Sequence, residues 1–270
     1  MKVAALIPCR IGSKGIPNKN FRDFAGKPLW EWTDEAAKKS NVFDLIIRST
    51  DGGFLMSDTG IIISEAGKTV DYWNDNARPS QLSTDEATLD ALLIYYAEKH
   101  PEIDLWCLLQ PTSPLRTAED IKEAYKIIKG SKYDSLVSVT PNPGMFWVDN
   151  AAGLKGNTYP IATYHLHKRP NRQDRKDWYM ENGAIYFTKK HVLSQMGCRL
   201  GGVIALYSMP QERSFEIDTP LDWDIAEYVA MKQQWGVDTE VIVSRKIAEE
   251  GFASLNYGGL PAWKLAGRLG

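Results

Sequence analysis

The architecture shows first in Val3-Ala4-Ala5-Leu6-Ile7-Pro8-Cys9-Arg10-Ile11-Gly12-Ser13-Lys14-Gly15-Ile16-Pro17-Asn18-Lys19-Asn20. Its apolar opening, residues 3–7, is too short for a signal-peptide core or a membrane span and reads as a buried first strand. The polar loop behind it gathers Arg10, Lys14 and Lys19 around Gly12 and Gly15. Glycines let backbone N–H groups approach an anion, and flanking cations neutralise phosphate charge. A loop beyond the C-terminal end of a parallel strand is also where open α/β sheets bind ligands. It matches neither G-x-x-x-x-G-K-[ST] nor G-x-G-x-x-G. On these residues alone, a solvated loop with glycine turns fits equally well.

Outward from that loop, short apolar runs alternate with amphipathic ones, the pattern of β-α-β units around a mostly parallel sheet. Pro28 opens a helix with Leu29, Trp32 and Ala36 on one face. Residues 45–47 read as the next strand, and residues 61–64 as another. Ser83-Thr84-Asp85-Glu86 has capping-box spacing ahead of Leu89, Leu92 and Tyr96. After a buried strand at 105–109, Thr117 caps a helix whose apolar face is Ile121, Ala124, Tyr125 and Ile128. A strand at 136–139 ends this rhythm. Residues 141–178 are rich in Pro, Asn, Gly, Arg and Lys, which marks an inserted arm or functional loop. Strands resume at 184–187, 203–207 and 215–218, and Thr219-Pro220 caps a helix carrying Leu221, Ile225, Tyr228 and Val229. The tail, 236–270, has room for one helix at 240–250.

Composition narrows the function. Of 270 residues, 43% are hydrophobic and 24% charged, which excludes disordered and low-complexity classes. Lys and Arg (32) nearly balance Asp and Glu (34), so the net charge is −2 and no general basic excess serves a nucleic acid or a membrane surface. Cys9, Cys107 and Cys198 lack C-x-x-C spacing, so neither a disulfide framework nor a zinc site is expected. His165 and His167 have no acidic or Cys partner at zinc spacing and read as a surface pair. A reducing, cytoplasmic setting fits.

Five segments in order carry a resemblance: the loop above, Leu109-Gln110-Pro111-Thr112-Ser113-Pro114-Leu115-Arg116, Arg172-Gln173-Asp174, Glu181-Asn182-Gly183-Ala184-Ile185-Tyr186, and Phe215-Glu216-Ile217-Asp218-Thr219-Pro220. Together they resemble the cytidylyltransferases that make CMP-sialic acid and related CMP-sugar acids. The resemblance implies a Rossmann-like, nucleotide-diphospho-sugar-transferase-like α/β fold of three layers over residues 1–235, with a dimerisation arm inserted at 141–180. It implies CMP transfer from CTP to the anomeric hydroxyl of a nine-carbon α-keto sugar acid, with release of pyrophosphate. Alternatives are the same chemistry on Kdo, a catalytically silent nucleotide- or sugar-binding subunit, and a glycosyltransferase.

The site residues follow from the same resemblance. Arg10 and Lys14 would grip the phosphates and stabilise charge on the departing pyrophosphate. Gly12, Ser13, Gly15, Lys19 and Asn20 would complete the nucleotide loop, and Arg78 would read the cytosine and ribose region. Gln110, Thr112, Ser113 and Arg116 would floor the sugar site between two prolines. Arg172 and Gln173 would meet the sugar, with Arg172 suited to its carboxylate through bidentate geometry. Asn182 and Tyr186 resemble sugar-contacting positions. Glu216 and Asp218 fall two apart on an expected strand, so both face one side, and their hard oxygens suit Mg²⁺ together with substrate phosphates. Asp218 would be both a metal ligand and a catalytic group. Each position has a plainer reading: Arg78 on the surface, Ser113 and Arg116 bracing a turn, Tyr186 in the core, Asp218 capping a helix. The sequence departs from the family at Cys9 and Ile11, which flank Arg10, and at Cys198-Arg199-Leu200, where sialic-acid-using members carry aromatic residues. Phe146, Trp147, Tyr159 and Tyr164 would anchor a homodimer through the arm.

Overall fold

The computed structural model describes residues 1–11, 13, 15–50, 70–73, 78–84, 86–148 and 160–235. In chain order its strands are β1 (Val3–Pro8), β2 (Asp23–Phe24), β3 (Lys27–Pro28), β4 (Leu45–Ser49), β5 (Val70–Trp73), β6 (Leu105–Leu108), β7 (Ser135–Pro141), β8 (Trp147–Val148), β9 (Ile161–Ala162), β10 (Tyr179–Lys189) and β11 (Ile204–Ser208). The helices are α1 (Leu29–Ser40), α2 (Leu89–Lys99), α3 (Ala118–Ile128), α4 (Lys190–Met196) and α5 (Pro220–Trp235). Among the described residues no helix is long and apolar enough to cross a membrane.

Seven strands form one sheet in the order β11-β7-β10-β6-β1-β4-β5. All neighbours pair in parallel except β10, which runs antiparallel to both β6 and β7. The pleat sends alternate side chains to opposite faces. Val3, Ala5 and Ile7 of β1 therefore join Trp30 and Ala37 of α1 and Ile121, Ala124 and Ile128 of α3. Ala4 and Leu6 join Leu92, Leu93 and Tyr96 of α2 and Leu193 of α4. Both faces are covered, which is why the strands read as continuous apolar runs. The result is the expected three-layer, mostly parallel α/β fold.

Two helix starts follow their local chemistry. The Thr117 hydroxyl accepts from the Asp120 N–H, and the Asp120 carboxylate accepts from the Thr117 N–H, a complete capping box. The Thr219 hydroxyl accepts from the Asp222 N–H in the same way, with Asp222 answering. The start of α2 differs from expectation. Its cap is Thr88, whose hydroxyl accepts from the Ala91 N–H at 3.1 Å. Ser83 instead closes a 3-10 turn against Pro79 and Ser80.

The inward face of α5 also differs. Trp223, Ala226 and Ala230 are buried, whereas Leu221 and Ile225 stand 67% and 38% exposed. Trp223 meets Phe24 edge-on at 5.2 Å, and the two alanines let the helix approach Leu29, Leu115 and Ile217. Residues 215–218 are not a strand. The position beside β7 is taken by β11, and 214–218 instead runs as an irregular strap, held by an Ile217 N–H bond to the Thr112 carbonyl. The expected strand at 61–64, the helix at 240–250 and the rest of the tail, with Gly12, Lys14, Asp85 and Tyr159, lie outside the described residues.

Candidate active site

A cleft of about 170 Å³, open to solvent, lies where the loops after β1 and β6 meet Arg78, which follows β5. This is the carboxyl end of the parallel strands, where such sheets bind ligands. Its lining includes Arg10, Ser13, Lys19 and Asn20 from the first loop, Arg78, and Gln110, Pro111 and Thr112.

The first loop is held from within. The Asn20 amide donates to the Arg10 carbonyl at 2.8 Å, and Asn18 takes a left-handed conformation (φ 54°) at the turn before the short helix of residues 19–21. Gly15 lies against the strap so closely that a Cβ there would come within 2.6 Å of the Asp218 carbonyl oxygen. Lys19 joins loop and strap: its Nζ donates to the Ile217 carbonyl at 2.5 Å and lies 3.4 Å from an Asp218 carboxylate oxygen.

Asp218 is 71% exposed by its side chain, and Glu216 is half-buried. Ile217, between the two acids, is in the core, and Asp218 lies close enough to act on the Glu216 carboxyl. Burial, then the neighbouring Asp218 charge, raises the Glu216 pKa above the ordinary carboxyl value. The Thr112 hydroxyl donates to Glu216 at 3.4 Å. Gly183, at φ 66°, leaves room for that carboxyl, since a Cβ would come within 2.6 Å of Glu216 Oε1.

Not every predicted residue meets the cleft. Arg78 lines it but is buried, and its guanidinium donates to the Ser49 hydroxyl and carbonyl at 3.0 and 2.9 Å. Gln110 lines it while donating to the Gly183 carbonyl. Ser113, Arg116 and Asn182 are built into the fold instead, because their polar groups are spent internally. Ser113 donates to the Asn182 carbonyl, and Arg116, 3% exposed, donates to Ala184, Gln110 and Thr33. Asn182, 1% exposed, accepts from the Ser138 hydroxyl at 2.7 Å and donates to the Ser214 hydroxyl at 2.9 Å. The Tyr186 ring is buried under the Arg199 guanidinium, and its hydroxyl donates to Glu181 at 3.1 Å. Burial, then Glu181, pushes that phenol up. Arg172 and Gln173 are exposed on a 3-10 turn of the arm and are not among the residues lining the cleft.

Sequence reasoning missed the supports. Arg48 and Asp34 form a buried ion pair at 2.5 Å beneath the first loop's strands. Arg199 pairs with Asp90 at 2.9 Å. Asp120 accepts from both Arg213 and Tyr207. Asp120 alone had a local signal, the third residue after the Thr117 cap.

The three-layer α/β fold thus brings a cation-bearing loop against a strap that carries two carboxylates. The cytidylyltransferase family model matches residues 4–242, and the chain belongs to that family. Among its relatives, N-acylneuraminate cytidylyltransferase A of Danio rerio is 34% identical over 227 residues, covering 83% of this chain and 50% of the relative. The Escherichia coli N-acylneuraminate cytidylyltransferase is 31% identical, covering 86% of this chain and 53% of the relative. The chain thus spans about half the length of these relatives. A solved CMP:2-keto-3-deoxy-manno-octonic acid synthetase in complex with CTP shares the fold at TM-score 0.58 and 17% identity, over 86% of this chain and all of that one. A 4-diphosphocytidyl-2C-methyl-D-erythritol synthase of Anaerococcus prevotii does so at 0.53 and 13%, over 85% and 98%.

Proposed function

We propose that the chain transfers CMP from CTP to the anomeric hydroxyl of a nine-carbon α-keto sugar acid of the sialic type, releasing pyrophosphate. The observation that carries this reading is Lys19, which lines the cleft with Arg10, joined to the strap bearing Glu216 and Asp218. Such a site neutralises a triphosphate from one side and presents carboxylates from the other. The names of the N-acylneuraminate relatives support the acceptor class, whereas the octonic acid synthetase likeness speaks for fold alone.

Arg10 and Lys19, with Lys14 from the same loop, would hold the phosphates and balance the charge that develops as pyrophosphate leaves. Gln110 and Thr112 would bound the acceptor side, helping to bring the attacking hydroxyl into line with the α-phosphorus. Two neighbouring acids, the half-buried one raised by burial and then by the other's charge, form a pair that a divalent cation would relieve. Glu216 and Asp218 would hold Mg²⁺, which takes few protein oxygens when phosphates supply the rest. When bound, it supplies Lewis-acid polarisation of the phosphates. The exposed Phe146, Trp147, Val148, Ile161, Trp178 and Tyr179 of the arm support a homodimer.

The test is pyrophosphate release from CTP and Mg²⁺ with N-acetylneuraminate, other nine-carbon α-keto acids and Kdo. Release with a nine-carbon acid is expected. Release with Kdo alone would move the acceptor class, and no release with any of them would sink the reading.

A further inference from the structure

The strap that carries Glu216 and Asp218 has no sheet to fix it, so its position depends on individual tethers. Besides the Lys19 and Thr112 contacts described above, the Ile217 N–H bonds the Thr112 carbonyl at 2.8 Å, the Asn182 amide bonds the Ser214 hydroxyl at 2.9 Å, and the Arg213 guanidinium grips Asp120. The last is the strongest by type. Arg213 Nε and Nη2 reach the two carboxylate oxygens at 3.0 and 2.7 Å, a charge-assisted fork, and Asp120 is 1% exposed. The same carboxylate accepts from the N–H and hydroxyl of Thr117. Thr117 directly follows the loop in which Gln110 and Thr112 line the cleft, so one buried carboxylate ties that loop to the strap.

We propose that Arg213, acting through Asp120, is a positioning residue for the reaction, fixing the strap so that Glu216 and Asp218 stand against the loops bearing Lys19 and Thr112. The inference rests on the cytidylyl-transfer reading. Arg213 lines no part of the cleft, so its role passes through Asp120 and the strap. A fork fixes direction as well as distance, which a lysine at the same position cannot do.

The test compares Arg213→Met and Arg213→Lys with the unmodified chain, by steady-state kinetics and hydrogen exchange. Small displacements of positioned groups cost rate steeply, so R213M is expected to lower kcat about ten- to hundredfold while KM for CTP stays within about threefold. R213K, which keeps the charge without the fork, is expected to fall between. In both variants the amides of Ile217 and Asp218 should exchange faster while β1 and β6 keep their protection, which separates a loosened strap from general unfolding. Arg213 is partly exposed, so R213K retains a solvated side chain and serves if R213M does not fold. An unchanged kcat with a loosened strap, or unchanged strap exchange, would overturn the proposal. No pyrophosphate release from the unmodified chain would instead sink the functional reading, which the comparison of variants does not touch.

Discussion

Arg116 donates to the carbonyls of Gln110 and Ala184 and to the Thr33 hydroxyl while almost fully buried. Burial lowers its pKa to about 10, which leaves it cationic at neutral pH. Removing it would strand buried acceptors on the very turn that carries Gln110. Arg116→Met is therefore expected to cost about 3 kcal/mol or more in urea unfolding. Arg172→Ala, on an exposed turn, should stay within about 0.5 kcal/mol. Equal costs would contradict the placement of the two arginines. Residue type alone did not separate them, since both sit in polar, motif-like surroundings. What separates them is the packing of α1 and β10, which brings Thr33 and Ala184 to Arg116 and which no short stretch of sequence contains.

At the scale of elements, what was legible was what is decided locally. Thr117 and Thr219 cap their helices through bonds to residues three positions on, and the spacing shows it. The start of α2 was expected from Ser83-Thr84-Asp85-Glu86, but the chain caps it later, at Thr88, because Pro79–Ser83 is already committed to a 3-10 turn. Thr88→Ala should accordingly destabilise by about 1 kcal/mol, and Ser83→Ala by about half that or less, in thermal or urea unfolding. The reverse order would contradict the assignment. The α5 face was misread for a different reason. Leu221, Ile225, Tyr228 and Val229 satisfy helical spacing, but of these only Val229 packs on the core, and the helix turns Trp223 and two alanines to Phe24 and its neighbours, which come from distant parts of the chain. Periodicity counts apolar residues and does not measure close approach.

For the whole molecule, the alternation of strand and helix signals was enough to give a mostly parallel, three-layer fold, because both sheet faces bury apolar strands. The reversal of β10 was not legible, since a buried strand reads alike in either direction. Nor was the Asp120–Arg213 tie, which spans 93 positions. The arm was visible as a break in rhythm, and its described part is a small β8–β9 ribbon with exposed Trp147, Val148 and Ile161. If that ribbon is the dimer contact, Trp147→Glu should shift the chain from dimer to monomer in sedimentation without changing its circular dichroism. A dimer unaffected by W147E would remove the ribbon from the interface.

The most direct test of cytidylyl transfer follows the α-phosphorus of CTP. With Mg²⁺, N-acetylneuraminate and CTP labelled at that atom, the label should appear in a CMP ester of the sugar acid, one for one with pyrophosphate, and Lys19→Ala should slow both by roughly a hundredfold. Label remaining in CTP, or leaving as free nucleotide without sugar attached, would contradict the account.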